Sequence, residues 1–276
     1  MVVLAMAVSP LVAQTRVELS DNDYTPAEDV ELGREAAAEV EQQLPLLRDD
    51  EVTAYLRGVG RHLVGGIPDR LEHPGFQYSF TVVNVRDLNA FALPGGPTYI
   101  NRGMIEAART EGELAGVMAH EISHVALRHG TAQASRATPF ALGALAGAVA
   151  GALIGGDVGS IVSQGTQFGL GTWFLSFSRE FEREADILGA QIMARTGYDP
   201  REAAGMFETL ERANGDGGLE FLSSHPDPGN RSERIIEEAR LLGVQDGTTD
   251  TAAFRRIKAR LADMPEAPTT AQATEN

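Results

Sequence analysis

Apolar positions fall at helical spacing in two early stretches. From Ala27 to Leu44, Val30, Ala37 and Val40 share one stripe of a Glu- and Ala-rich segment, which Pro45 ends. From Asp50 to Val64 the stripe is Val52, Leu56, Val59 and Leu63, with Gly65-Gly66 as the stop. Between Phe76 and Val85 the pattern changes to alternation with β-branched residues, which predicts a strand. Asn89 to Ile100 holds a short apolar run, Pro94-Gly95-Gly96-Pro97, and then Thr98-Tyr99-Ile100, the pattern of a tight hairpin. Proline has no N–H to give a ladder, so Pro97 fits only a strand start or a sheet edge.

From Glu111 onward the pattern is helical. Glu113 to His129 is strongly amphipathic and ends at Gly130, and a second helix spans Ser178 to Arg195 before Gly197. Two more follow, near Pro200 to Ala213 and Arg231 to Leu242. Phe140 to Ile154 is apolar and rich in Ala and Gly. It is too short for a bilayer span, which needs about 20 residues, and is expected to form a close-packed helical hairpin or a mobile cover. Pro265, Pro268 and several Thr and Ala predict a disordered tail over 263–276. The expected fold is mainly α with a small β-sheet (α+β), one domain over 14–262.

Composition narrows the function classes. With 43% hydrophobic and 22% charged residues the chain can bury a sizeable core. A formal net charge of −16 argues against nucleic acid or anionic lipid as a partner, since both need basic patches. The absence of cysteine removes disulfides, thiolate metal sites and an acylated anchor together. The first thirteen residues, MVVLAMAVSPLVA, read as the end of a secretory signal cut after Ala13, with its basic start missing. That predicts an exported, periplasmic protein; the alternative is an apolar N-terminal element in a cytoplasmic or membrane-associated one. No convincing transmembrane span is present, which leaves peripheral membrane association open. Oligomeric state is not legible.

The chemistry starts at His120-Glu121-Ile122-Ser123-His124, an HExxH pattern. On a helix, residues four apart share a face, so both imidazoles reach one ion. Imidazole suits zinc, and Glu121 beside the pair can accept a proton from water. The apolar flanks Leu114, Val117, Met118, Ile122, Val125 and Leu127 predict a buried helix rather than two solvated histidines. His129 falls one position short of the third histidine of a metzincin, and Leu127 stands where that pattern has glycine. About sixty residues on, Glu182 and Asp186 form an ExxxD pattern on a second helix. Glu182 is expected as the third ligand, with Asp186 accepting a hydrogen bond from the far nitrogen of His120. Glu180 and Glu184 compete for the ligand role, but neither has an aspartate at the matching offset.

These residues carry a resemblance to the HtpX/BepA-type zinc endopeptidases, relatives of the CAAX prenyl protease. It extends over about residues 30 to 240, through NAFALPGG, ELAGVMAHEISHVALRHG, SREFEREAD and SSHPDPGNRSERI. The resemblance implies a zincin-like metallopeptidase domain with one zinc ion on His120, His124 and Glu182, and Glu121 as catalytic base. It also implies polypeptide substrates that pair as extended strands with an edge before the active helix, either Thr98–Ile100 or Asn89–Leu93. His225 matches a histidine that lies near the metal in relatives, expected to stabilise an oxyanion or cap the ion; a plain loop histidine is the alternative. Arg234 is a candidate partner for a site carboxylate, and the segment 131–172 a candidate cover for the cleft. By analogy the role is protein quality control in the cell envelope. A non-catalytic chaperone using the same groove is the rival, and a structural or storage zinc site is disfavoured because it would be closed by four protein ligands.

Overall fold

The computed structural model describes residues 14–136, 177–213, 221, 225–226 and 229–274. The expected signal, the Phe140–Ile154 stretch and most of the 131–172 cover lie outside them; residues 129–136 are helical.

Two helices open the fold. Helix α1 (Pro26–Gln43) starts in a capping box, where Thr25 accepts from the Glu28 amide and Glu28 reaches back to the Thr25 backbone, with Pro26 in the first turn. Helix α2 (Asp50–Val64) is capped by Asp49 and buries Val52, Leu56, Val59 and Leu63, the stripe expected from sequence. The sheet comprises β1 (Ser79–Val83), β2 (Ala90–Ala92) and β3 (Pro97–Asn101). Its order is β1-β3-β2, with β1 parallel to β3 and β2 antiparallel to it. The hairpin is therefore present, and Pro97 sits at a strand start as its missing N–H requires. Gly95 and Gly96 make the turn at φ 76° and 127°, conformations that side chains other than glycine's resist. Of the two edges expected, Thr98–Ile100 is corrected, because β3 is the central strand, whereas β2, within Asn89–Leu93, is an outer strand.

After short helix α3 (Arg102–Ala107) comes α4 (Glu111–Ala126), whose sixteen residues are all buried. Thr110 caps it by accepting from the Glu113 amide. Around it pack α2, α5 (Arg179–Arg195), α6 (Arg201–Ala213) and strand β2. Helix α7 (Arg231–Leu241) lies against α5 and α6. Among the described residues no helix is long and apolar enough to cross a membrane.

The C-terminal segment corrects a second expectation. Helix α8 (Ala252–Ala262) buries Phe254, Ile257 and Leu261, and the chain then continues as an ordered strap rather than a free tail. Ala267 is 4% exposed, the Pro268 carbonyl accepts from the Arg86 amide at 2.9 Å, and α9 (Thr270–Thr274) is tied to Asp87 by the Thr270 hydroxyl at 2.8 Å.

Candidate active site

Helix α4 carries His120, Glu121 and His124 inward, and α5 crosses it closely because Gly189 has no side chain. A Cβ there would lie 3.3 Å from the His120 backbone nitrogen. The crossing brings Glu182 and Asp186, four apart on α5, against the two histidines. His120 Nε2 and His124 Nε2 face each other at 3.0 Å, and Glu182 Oε2 and Oε1 lie 3.4 Å from His120 Nε2 and His124 Nε2. From the loop before α7, His225 Nδ1 comes within 3.3 Å of His120 Nε2 and 3.0 Å of Glu182 Oε1. The donor atoms of these four residues all lie within 4.8 Å of one another, and all four side chains are buried. Asp186 Oδ1 lies 3.1 Å from His120 Nδ1, an ion-pair contact whose angle falls short of a hydrogen bond.

Protonation logic tests whether this set fits a cation. With Asp186 at Nδ1, a neutral His120 carries its proton there and presents a lone pair at Nε2. His124 Nδ1 is likewise occupied, 2.9 Å from His129 Nδ1, so its Nε2 also points a lone pair inward. Two lone pairs and a carboxylate at this separation repel unless a cation sits among them. The buried charges at the site agree: among the described residues Glu121, Glu182 and Asp186 gather around one buried arginine, Arg231. Nitrogen and carboxylate donors in a set of three or four suit zinc.

The pKa directions express the same demand for positive charge. Burial opposes ionisation of Glu182, but His225 and contacts from His120 and His124 hold its carboxyl well below the usual range. Burial, joined by the neighbouring His120 and His129, drives His124 well down against the pull of Glu182, keeping it neutral. At His120 burial works against protonation, yet Asp186 and Glu182 outweigh it and raise the ring. Glu121 is pushed up to about 7, mainly by burial, with His225 pulling the other way. Among the described residues Glu121 Oε1 has no hydrogen-bond partner, and it lies 3.5 Å from His225 Nε2, while the Ala92 backbone on β2 bonds to the same carboxylate.

Three phenylalanines fix the ring planes. Phe177 stacks on His124 at 4.1 Å, Phe181 on His129 at 4.2 Å and Phe221 on His225 at 4.5 Å. The competing glutamates are otherwise engaged: Glu180 meets Arg136 at 3.1 Å and Glu184 meets His129 at 3.2 Å. Sequence reasoning missed Arg231, Phe177 and His129. Arg231 joins Glu182 and, at 3.0 Å, Asp186, whereas the Arg234 guanidinium reaches only 3.8 Å from Asp186. Its position at the first turn of α7 was the available signal.

The profile of peptidase family M48 matches residues 50–239, which include every one of these side chains. The chain belongs to peptidase family M48. Within the M48 family it is 32% identical over 187 residues to the mitochondrial metalloendopeptidase OMA1 of Arabidopsis thaliana, covering 65% of this chain and 37% of the relative. The beta-barrel assembly-enhancing protease of Escherichia coli strain K12 is 28% identical over 236 residues, 81% of this chain and 47% of that protein. A Schizosaccharomyces pombe OMA1 is 33% identical over 164 residues, 59% of this chain and 47% of its own. The chain thus spans less than half the length of the M48 relatives it matches.

Proposed function

We propose that this chain is a zinc-dependent endopeptidase, with His120, His124 and Glu182 as metal ligands and Glu121 as general base. The observation that carries the proposal is the meeting of two imidazole Nε2 atoms at 3.0 Å beside a buried carboxylate. Bound there, zinc would supply a Lewis acid for the scissile carbonyl and lower the pKa of water toward neutrality.

The chain's own residues do the rest. Glu121, buried next to the ligand pair on α4, is placed to take a proton from the attacking water and return it to the leaving amine. Asp186 holds His120 by its far nitrogen, and Arg231 holds Asp186 and Glu182 together. Strand β2 is the outer strand next to Glu121, so an extended substrate would bind its edge through main-chain hydrogen bonds with little demand on side chains. His225 is the fourth member of the cluster, so it would either cap the ion or, turned toward the substrate, stabilise an oxyanion. The wider role we assign is hydrolysis of extended or misfolded polypeptides of the cell envelope. It draws on the apolar start of the sequence and on the name of the Escherichia coli relative.

Purified Glu121→Gln should retain its metal and lose casein cleavage. Turnover in that variant within about tenfold of wild type contradicts the general-base assignment, a role commonly worth 10²–10⁴-fold. Metal uptake with no cleavage by the wild type would favour a chaperone using the groove.

A further inference from the structure

His129 is buried, is absent from the four-residue cluster, and has no part in the chemistry above. Its position needs explaining, because five residues of continuous α-helix would put it about 140° around from His124. The chain avoids this by ending α4 at Ala126 and turning through Arg128 at φ 58°. That left-handed residue is held by a part-buried ion pair, Arg128 Nε to Asp29 Oδ2 at 2.6 Å, from the first turn of α1. The turn folds the His129 ring back, flat on Phe181 and with Nδ1 2.9 Å from His124 Nδ1. Its other nitrogen lies 3.2 Å from Glu184 Oε2.

Two facing ring nitrogens bond only if one carries the proton. Glu184 decides which. A carboxylate can only accept, so a neutral His129 has its proton on Nε2 and its Nδ1 is an acceptor. His124 must then donate from Nδ1, and its Nε2 is left as a lone pair facing the cluster. His120 gets the same result directly from Asp186. The two carboxylates, Glu184 and Asp186, are two residues apart on α5.

We infer that His129 and Glu184 are a positioning pair that fixes the tautomer and orientation of His124 for metal binding. This rests on the metal site proposed above. It extends that site by one relay, His124 to His129 to Glu184, supplied by the same SREFEREAD helix that supplies Glu182 and Asp186.

The test compares zinc affinity, by chelator competition, in full-length wild type, His129→Phe and His129→Asn, alongside the melting temperature of each metal-free protein. Phenylalanine keeps the stacking on Phe181 and removes the acceptor; the asparagine carbonyl restores an acceptor near the Nδ1 position. His129→Phe should bind zinc roughly 10–100-fold more weakly, the usual effect of losing such a partner, and His129→Asn should recover most of that loss. Glu184→Leu should weaken zinc too, and adding it to His129→Phe should cost little more, since both act through one nitrogen of His124. Equal zinc affinity in wild type and His129→Phe overturns the inference. So does equal weakening in the Phe and Asn variants that tracks their melting temperatures, which is the mark of a merely structural role. A wild type that takes up no zinc overturns the metal site itself, and is told apart from these results by the wild-type titration alone.

Discussion

Arg231 and Asp186 form a buried ion pair: Nε lies 3.0 Å from Oδ2, and the side chains are 2% and 0% exposed. The same guanidinium reaches Glu182 and lies 4.1 Å over the Phe207 ring. One guanidinium therefore bridges both carboxylates of the ExxxD pattern and ties α7 to α5.

Removing that cation leaves two carboxylates buried without it. Arg231→Met should cost about 3–5 kcal/mol, the usual penalty for breaking a buried pair from one side. Arg231→Lys should recover only part of this, because a single ammonium cannot span both carboxylates as the planar fork does. Urea unfolding of the metal-free proteins checks both, and a loss below about 1 kcal/mol for Arg231→Met contradicts the assignment.

Glu121 gives a pH-dependent prediction. Its folded value is raised to about 7 from 4.5, so it favours the fold while protonated and opposes it once ionised. The penalty grows as pH rises from 4.5 through 7 and is full above that, up to about 3 kcal/mol for a fully buried carboxyl. Glu121→Gln cannot ionise. Its metal-free form should melt higher than wild type at pH 8, with the gap closing near pH 4.5. A gap that does not change with pH contradicts the burial argument.

Asp186→Ala should weaken zinc roughly 10–100-fold by freeing the His120 ring, while the ligand set stays intact. Zinc affinity of the wild type should also fall toward acid pH, since His120 must lose its proton to bind. Chelator competition at pH 6 and pH 8 reads both effects; affinity independent of pH would count against histidine ligation.

Helix α1 is packed on the turn that ends in β3. A Cβ at Gly33 would sit 1.8 Å from the Pro94 carbonyl oxygen, so Gly33→Ala must push α1 off the turn. We expect a loss of about 1–3 kcal/mol. Because that turn sets the β2 edge, KM for a peptide substrate should rise more than kcat falls. Unchanged stability and KM would contradict the packing.

The local part of this structure was legible in the sequence. The two metal helices, the α2 stripe, the hairpin and the HExxH and ExxxD pairs all depend on spacing within one element. What escaped depends on meetings between elements. The order β1-β3-β2 cannot be read from a strand pattern, so Thr98–Ile100 and Asn89–Leu93 were equal candidates for the edge. Helix α8 has only Phe254, Ile257 and Leu261 buried among basic residues, and the prolines just beyond it drew the eye to disorder. The strap after it is held by contacts to Arg86 and Asp87, about 180 residues away in sequence. His129 failed a metzincin spacing test and was set aside, although the left-handed turn at Arg128 is what gives it a partner. Arg234 was expected to meet a site carboxylate and lies 3.8 Å from Asp186, but nothing local marked Arg231 as the arginine that bridges both carboxylates.

The most direct test is the zinc content of purified wild type beside Glu182→Ala, with casein cleavage followed in both. The account predicts about one zinc per chain in wild type, and loss of both metal and cleavage in the variant. No zinc in the wild type, or undiminished zinc and cleavage in Glu182→Ala, would contradict it.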